Sequence, residues 1–240
     1  MIKLENITKT YNNQVKAVSD LSLTVNDGEI VGFIGPNGAG KTTTIKMMTG
    51  ILKPDCGTVL INDIDMTKNP LEAKKVIGYI ADSPDMFLRL TGLEFINFMA
   101  DIYQVPAEGR KEKIETLIKR FDLEHALDKQ MQSYSHGMRQ KMMVTAALVH
   151  NPEVWILDEP LTGLDPKSAF ELKKMMREHA DAGNSVLFST HVLEVAEKLC
   201  DKVIIIRHGE ALFYGTLDEL TANYPDMDLE KIFLEMTKDE

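Results

Sequence analysis

The chain has 240 residues, which is enough for one large α/β domain or two small ones. Apolar residues make up 44% of it and charged residues 27%, and these values exclude disordered and fibrous architectures. An excess of 37 acidic over 27 basic side chains gives a formal net charge of −10. This charge argues against non-specific binding to nucleic acid or to an anionic membrane, because both partners are themselves negative.

Short apolar, β-branched segments alternate with helical patterns along most of the chain, which predicts an α/β fold with a mostly parallel sheet. The first core strand, 30–34, leads into a glycine-rich loop and then into a helix over 42–49 that ends at Gly50. Apolar residues at i, i+3, i+4 and i+7 predict another helix over 192–199. Further core strands are predicted at 154–157, 185–189, 203–206 and 211–214.

The segment from 93 to about 149 contains helical patterns and no convincing strand, so we expect a helical subdomain inserted into the α/β core. Apolar residues near the carboxyl terminus are spaced for short amphipathic helices, which predicts a docked helical cap. The whole chain, 1–240, is expected to form a single domain. Its expected parts are the core at 1–84 and 150–215, the helical subdomain at 85–149 and the cap at 216–240.

The sequence also bears on the compartment of the protein. Its first residues lack the apolar core of a signal peptide, and no segment approaches the ~18 apolar residues of a membrane span. Cys56 and Cys200 are too far apart for a metal knuckle or a disulfide framework. We therefore expect a soluble, cytoplasmic protein that reaches a membrane only through a partner chain.

The glycine-rich loop 35–42 fits the pattern G-x-x-x-x-G-K-[ST], with a strand before it and a helix after it. Glycines let successive backbone N–H groups point at a phosphate, and the helix N-terminus adds positive potential. Lys41 would supply a mobile charge for the β- and γ-phosphates, and Thr42 a hydroxyl ligand for Mg²⁺. A glycine-rich turn that binds nothing is the alternative. The candidate nucleotide-binding residues here are Gly35, Asn37, Gly38, Ala39, Gly40, Lys41, Thr42 and Thr43.

Two adjacent acids, Asp158 and Glu159, follow the apolar strand 154–157. Because unpaired buried carboxylates are destabilising, a metal ion at the carboxyl edge of the sheet would account for them. Asp158 is then a candidate Mg²⁺ ligand, directly or through water, and Glu159 is placed to orient or deprotonate a water molecule. A helix-capping pair is the alternative, but the phosphate loop favours the metal.

The order of these motifs resembles that of the nucleotide-binding subunit of ATP-binding cassette (ABC) transporters, from about Ile2 to Thr237. The segment 134–140, Tyr-Ser-His-Gly-Met-Arg-Gln, is similar to the family signature, whose commoner form is Leu-Ser-Gly-Gly-Gln. Asp165 is similar to the aspartate of the family loop that follows the second acid, here Glu159. His191 is similar to the switch histidine of the family.

The resemblance implies an Mg²⁺-dependent ATPase with the fold of an α/β P-loop NTPase. This fold has a mostly parallel core sheet, an inserted helical subdomain and a small N-terminal antiparallel sheet. The resemblance also implies a head-to-tail dimer, in which a helix N-terminus of one subunit closes over ATP held by the other, a copy or a paralogue. Glu159 and His191 are the implied catalytic residues. The implied nucleotide-binding residues outside the phosphate loop are Tyr11, which would stack on adenine, Ser135, Gly137 and Asp165.

One position departs from the family pattern. Where the family usually has a glutamine after the second strand, spacing places Asp82. Its side chain is shorter by one methylene and charged, so contact with Mg²⁺ would need a water bridge or a shifted loop. The implied metal residues are therefore Thr42, Asp82 and Asp158, with a slip in the alignment as the alternative for Asp82.

The variant signature and the ending Leu-Glu-Lys-Ile-Phe at 229–233 look most like the branch that serves ABC-2-type exporters. The resemblance then implies export through a separate transmembrane permease, at the cytoplasmic face of the cell membrane, with no nucleic-acid partner. Met86 and Phe87 are expected in an exposed loop, where the family has a groove for the coupling helix of the permease. Burial in the core is the alternative for this pair.

Two other functions compete with this one. A soluble ABC-type ATPase acting on nucleic acid or ribosomes is disfavoured, because such proteins resemble tandem cassettes or carry long coiled-coil insertions, and because this chain is acidic. A P-loop kinase for a small molecule would not need Ser135, Gly137 or His191.

Overall fold

The computed structural model describes residues 1–12, 15–83, 85, 87–224 and 227–238. Met86, expected in an exposed loop, lies outside the described residues. The strands, in chain order, are β1 (Ile2–Tyr11), β2 (Val15–Val25), β3 (Ile30–Ile34), β4 (Cys56–Ile61), β5 (Ile64–Asp65), β6 (Ile77–Ile80), β7 (Val154–Leu157), β8 (Ser185–Thr190), β9 (Lys202–Arg207) and β10 (Glu210–Gly215).

Helices connect and cover these strands. They are α1 (Lys41–Met48), α2 (Pro70–Lys75), α3 (Gly92–Ile102), α4 (Arg110–Arg120), α5 (His136–Leu148), α6 (Pro166–Asp181), α7 (Leu193–Leu199), α8 (Leu217–Ala222) and α9 (Leu229–Thr237). Two short 3-10 turns, Glu124–Ala126 and Met131–Ser133, lie between α4 and α5. None of the helices in the described part of the chain combines the length and the apolar character needed to cross a bilayer.

The strands form two sheets. The smaller sheet is antiparallel, in the order β2-β1-β4-β5. The larger sheet has the order β10-β9-β3-β8-β7-β6, and all its neighbouring strands are parallel except the β9–β10 pair. Because parallel strands share one direction, the carboxyl ends of β3, β6, β7 and β8 lie at the same edge of this sheet.

Both faces of the larger sheet are covered. Phe33 and Leu187 are fully buried on one face, in a core shared with α1 and the smaller sheet. Ile30 and Phe188 are fully buried on the other face, in a core shared with α5 and α6. Burial on both faces explains why these strands are continuous apolar runs rather than alternating ones.

The helical segment follows the expectation, with a shifted boundary. Of the described residues between 93 and 149, none belongs to a strand, and Gln130 makes only an isolated bridge to Thr91. The sequence pattern predicts a helix from about Arg139 to His150, whereas α5 begins at His136, three residues earlier. The reason is that the Oγ of Ser135 caps it by accepting a hydrogen bond from the N–H of Met138 at 3.2 Å.

The carboxyl-terminal helices α8 and α9 pack on the end of the larger sheet. Leu220, Leu229 and Ile232 are buried in one apolar cluster with Val203 and Ile205 of β9. These two helices are therefore docked through one apolar face, while their acidic side chains, Asp218, Glu219, Glu230 and Glu235, are exposed.

The docked cap leads to a prediction about stability. Ile232 is fully buried, whereas Leu234 in the same helix is 54% exposed. Ile232→Ala should lower the free energy of unfolding by about 2–4 kcal/mol, because it leaves a cavity. Leu234→Ala is the matched control and should change it by less than about 0.5 kcal/mol. Urea denaturation followed by circular dichroism measures both, and equally small changes would mean that α9 does not unfold with the domain.

Candidate functional site

A cleft of about 360 Å³ opens at the carboxyl edge of the larger sheet, where four core strands end. The residues that line it are Ala17, Asn37, Gly38, Gly40, Lys41, Thr42, Thr43, Asp82, Asp158, Glu159, Thr162 and His191. Eight of these twelve come from the loops that follow β3, β6, β7 and β8, and three come from the first turn of α1. The remaining one is Ala17 on β2. The fold thus gathers distant parts of the sequence around one cavity.

The loop between β3 and α1 has a shape that depends on glycine. Gly40 has a φ of 108°, in the left-handed region, and it precedes the first residue of α1. A Cβ at this position would also collide with the carbonyl oxygen of Ala17. Gly40 therefore satisfies two constraints that no other residue type meets, and it aims the N-terminus of α1 into the cleft.

Lys41 is the first residue of α1, directly after this loop. Its side chain is buried, and its Nζ donates hydrogen bonds to the carbonyl oxygens of Gly35 at 2.6 Å and Pro36 at 3.1 Å. Burial lowers the pKa of Lys41, while the charges of Glu159 and Asp158 partly oppose that shift. A desolvated ammonium group at the N-terminus of a helix favours an anion such as a phosphate.

Asp158 is the most buried acid of the cleft, with 1% of its surface exposed. Its Oδ1 accepts a hydrogen bond from the hydroxyl of Ser189 at 2.6 Å, but its Oδ2 has no hydrogen-bond partner among the described atoms. A buried carboxylate oxygen without a partner is destabilising unless a cation compensates it.

These residues fit a magnesium ion. Mg²⁺ prefers oxygen ligands and is usually held by one or two carboxylates together with phosphate oxygens. Asp158 offers the unpartnered carboxylate oxygen, Thr42 an exposed hydroxyl at the start of α1, and Asp82 an exposed carboxylate on the same cleft. When bound, such an ion would neutralise charge on the phosphates.

Glu159 has a backbone conformation that is unusual for a non-glycine residue. Its φ is 47°, in the left-handed region, and its N–H donates to the Oγ of Ser189 at 2.9 Å. Its Oε2 lies 3.0 Å from the Nδ1 of the exposed His191. A carboxylate at the cleft, tied to an imidazole, can orient a water molecule and accept its proton. Backbone strain of this kind is typical of functional positions.

The signature segment lies at the start of α5. Ser135 is exposed and caps this helix, whose N-terminus carries the positive end of the helix dipole and therefore favours an anion. Gly137 lies against Gly163, and a Cβ on Gly137 would be 2.6 Å from the carbonyl oxygen of Gly163. The ring of the exposed His136 also lies against Gly163.

Asp165 is held by its own helix. Its carboxylate caps α6 by accepting from the N–H of Ser168 at 3.0 Å and from the Ser168 hydroxyl at 2.6 Å. Lys141 of α5 lies 3.0 Å from the same carboxylate. These contacts hold the pKa of Asp165 well below its usual range, with the hydrogen bond from the Ser168 side chain as the largest cause.

The remaining predicted residues lie around the cleft. Gly35 supplies a carbonyl to Lys41, and Ala39 is buried behind the loop. Tyr11 lies at the end of β1, is 42% exposed, and belongs to the same sheet as Ala17 of the cleft wall. The predicted residues that do not line this cleft in their own chain are Tyr11, Gly35, Ala39, Ser135, Gly137 and Asp165.

The sequence patterns did not predict three residues near the site. Ala17 lines the cleft through a contact with Gly40 that no local pattern shows. Thr162 lies one turn after Glu159, and its N–H donates to the Glu159 carbonyl at 3.1 Å. Ser189 could have been identified as a candidate from the sequence, because it is a polar residue in an apolar strand, two positions before His191.

Comparisons with known proteins identify the family of this chain. A family model described as "ABC transporter" matches residues 18–162. Over 238 residues the chain is 35% identical to the ABC transporter ATP-binding protein NatA of Bacillus subtilis, covering 98% of this chain and 97% of NatA. This chain belongs to the ABC transporter family. It is also 37% identical over 221 residues to the lipopolysaccharide export system ATP-binding protein LptB of Escherichia coli, covering 90% of each.

Solved structures support the same assignment for this ABC ATPase. A structure described as the ATP-binding subunit of an ABC transporter has a TM-score of 0.94 and 32% identity, covering 99% of this chain and 100% of that one. The ATP-binding cassette MJ0796, solved as a dimer in a post-hydrolysis state bound to ADP and Pi, has a TM-score of 0.81 and 26% identity, covering 90% and 99%. The chain is an ATP-hydrolysing subunit of an ABC transporter, and the predicted fold class is confirmed.

The position of Lys41 leads to a prediction about nucleotide binding. Lys41→Ala should reduce ATP affinity and turnover by about 100-fold or more, because it removes the buried cation of the phosphate loop. Lys46→Ala, an exposed lysine of the same helix, is the control and should bind ATP like the wild type. Fluorescence titration with a labelled ATP analogue measures the affinity. Wild-type binding by Lys41→Ala would contradict the phosphate-loop assignment.

The position of Asp82 leads to a prediction about metal dependence. Asp82→Ala should raise the Mg²⁺ concentration needed for half-maximal hydrolysis, while ATP binding without metal stays nearly constant. Asp82→Gln, which restores the usual family residue, should remain active. Asp85→Ala is the control, since Asp85 lies in the same loop but pairs with Arg139 at 2.5 Å. If Asp82→Ala and Asp85→Ala have the same Mg²⁺ requirement, Asp82 is not part of the metal site.

Proposed function

We propose that this subunit is the Mg²⁺-dependent motor of an ABC-2-type exporter. In this proposal, ATP binding closes a head-to-tail dimer of nucleotide-binding subunits, hydrolysis opens it, and a separately encoded membrane protein follows that motion. The observation that carries the proposal is that the chain has two helix N-termini suited to an anion, that of α1 in the cleft at Lys41 and that of α5 at Ser135. Ser135 does not line the cleft of its own chain.

A head-to-tail dimer would use both surfaces at once. The exposed Ser135 hydroxyl and the amide of Gly137 would contact the γ-phosphate bound in the cleft of the partner. The dimeric form of MJ0796 supports this arrangement by similarity. In such a dimer each nucleotide would be enclosed by two chains, a copy of this chain or a paralogue being the second.

Each predicted residue then has a proposed role. Lys41 and the loop around it bind the phosphates, Tyr11 stacks on adenine, and Asp165 orders the loop beside the signature. Thr42, Asp158 and Asp82 hold Mg²⁺, with Asp82 acting directly or through water. Glu159 orients or deprotonates the attacking water, and His191 fixes the Glu159 carboxylate.

The proposed membrane partner would dock at the aromatic surface beside α3. Phe87 is 41% exposed, and its ring centroid lies 5.4 Å from those of Phe95 and the exposed Phe98. Exposed aromatic clusters are typical of protein interfaces. Docking there would place the subunit at the cytoplasmic face of the membrane. The signature variant supports the ABC-2 branch, and the similarity to LptB supports export.

The domain organisation belongs to the same proposal. We treat 1–240 as a single ABC ATPase domain, with its core at 1–84 and 150–215, its helical subdomain at 85–149 and its cap at 216–240. The packing of α5 against the core sheet and the docking of α9 on β9 support this division.

Glu159→Gln separates binding from hydrolysis. The substitution keeps the shape of the side chain and removes its charge, so ATP binding should persist while turnover falls by about 100-fold or more. Unhydrolysed ATP should then hold two chains together, because a ligand that binds only the dimer shifts the equilibrium towards it. Size-exclusion chromatography should show a dimer with Mg-ATP and a monomer with ADP. A variant that binds ATP yet stays monomeric at high concentration contradicts the shared site.

A second substitution tests the other half of the shared site. Adding Ser135→Arg to Glu159→Gln should abolish the ATP-dependent dimer by bulk and charge, while ATP still binds at Lys41. Ser22→Arg, at an exposed serine on β2, is the matched control and should leave the dimer intact. If Ser135→Arg still dimerises with ATP, the N-terminus of α5 is not part of the interface.

A further inference from the structure

Ser189 is a buried polar residue at the carboxyl end of β8, and it contacts both acids of the site. Its side chain is fully buried. Its hydroxyl donates a hydrogen bond to the Oδ1 of Asp158 at 2.6 Å and accepts one from the N–H of Glu159 at 2.9 Å. One hydroxyl therefore satisfies a carboxylate oxygen and a backbone amide in the loop that follows the neighbouring strand β7.

We propose that Ser189 is a positioning residue for ATP hydrolysis, whose hydroxyl fixes the orientation of the Asp158 carboxylate and the backbone of Glu159. The inference rests on the proposed roles of Asp158 at the metal and of Glu159 at the attacking water. It adds a residue that touches neither nucleotide nor metal and acts through these two acids.

The first part of the argument concerns the two oxygens of Asp158. Ser189 occupies Oδ1, and Oδ2 is the oxygen without a partner among the described atoms. A carboxylate held at one oxygen cannot rotate freely, so Oδ2 keeps one direction in the cleft. A carboxylate that is already fixed loses no further rotational freedom when it binds a metal ion. Hydrogen bonds from supporting residues orient the ligands of other metal sites in the same way.

The second part concerns the backbone of Glu159. A left-handed φ of 47° is unfavourable for a glutamate and persists only where surrounding contacts hold it. The hydrogen bond from the Glu159 N–H to Ser189 is such a contact. With the backbone fixed, the side chain reaches His191 at 3.0 Å.

The chemistry of the position requires a hydroxyl. The group must donate to a carboxylate and accept from an N–H, and among small side chains only serine and threonine do both well. Alanine removes both hydrogen bonds. Cysteine keeps nearly the same size but is a weak donor and a weak acceptor.

Ser185 offers a matched control in the same strand. It is also fully buried, and its hydroxyl donates to the Oδ1 of Asp27 at 3.0 Å, away from the cleft. Ser185→Ala and Ser189→Ala therefore remove the same atom, and each breaks a hydrogen bond to an aspartate. Only the second affects the acids of the site.

The test compares these variants in the full-length chain. Ser189→Ala should lower kcat at least about tenfold relative to Ser185→Ala, with a change in KM for ATP of less than about threefold. It should also weaken Mn²⁺ binding to the protein–ADP complex several-fold, as measured by electron paramagnetic resonance. Ser189→Thr should restore both values. If Ser189→Ala does not fold, Ser189→Cys replaces it, with the same expected losses.

Three results would overturn the inference. In the first, Ser189→Ala has a kcat and an Mn²⁺ affinity within about twofold of those of Ser185→Ala. In the second, Ser189→Thr folds but is as impaired as Ser189→Ala. In the third, Ser189→Cys has full activity. The wild-type protein tests the proposed function separately. Mg²⁺-dependent hydrolysis by the wild type supports that function whatever the serine variants do, and its absence contradicts it.

Discussion

The site depends on one buried carboxylate. Asp158 follows four apolar residues, is 1% exposed, and keeps one oxygen without a partner among the described atoms. Burying a charge in this way is unfavourable, so the surrounding structure must supply compensation. Part of it comes from the hydroxyl of Ser189, and the cation nearby is the ammonium of Lys41. The hydrogen bond from Ser189, the ammonium of Lys41 and the proposed metal ion would each compensate part of this charge.

The cleft and the signature helix are connected within the chain. Gln140 of α5 donates to the carbonyl oxygen of Pro160 at 3.2 Å, directly after Glu159. Lys141 of α5 contacts Asp165 at 3.0 Å. Through these contacts the loop that follows β7 joins the Glu159 end of the cleft to the helix whose N-terminus carries Ser135. Two side-chain contacts therefore hold α5 against the loop that follows Glu159.

Local chemistry made most of the fold predictable. The strand at 30–34 and the helix after the phosphate loop were predictable because apolar runs, glycines and a helix stop lie next to each other in sequence. Helix α5 starts earlier than predicted, because the cap at Ser135 outweighs the weak apolar pattern of the first turn. Ala17 and Ser189 could not be assigned, because their contacts with Gly40 and Asp158 join distant segments whose proximity only the strand order creates.

The same geometry determines how two copies would cooperate. In the proposed dimer each chain gives its cleft to one nucleotide and its Ser135 surface to the other, so closing the dimer would complete both sites in a single step. Binding of ATP at one site would then favour binding at the second, and the coupling would be equal in both directions. Because α5 is tied to the loop after Glu159 in each chain, hydrolysis at one cleft would also disturb the surface that encloses the other nucleotide. Two ATP sites built in this way cannot act independently while the dimer is closed.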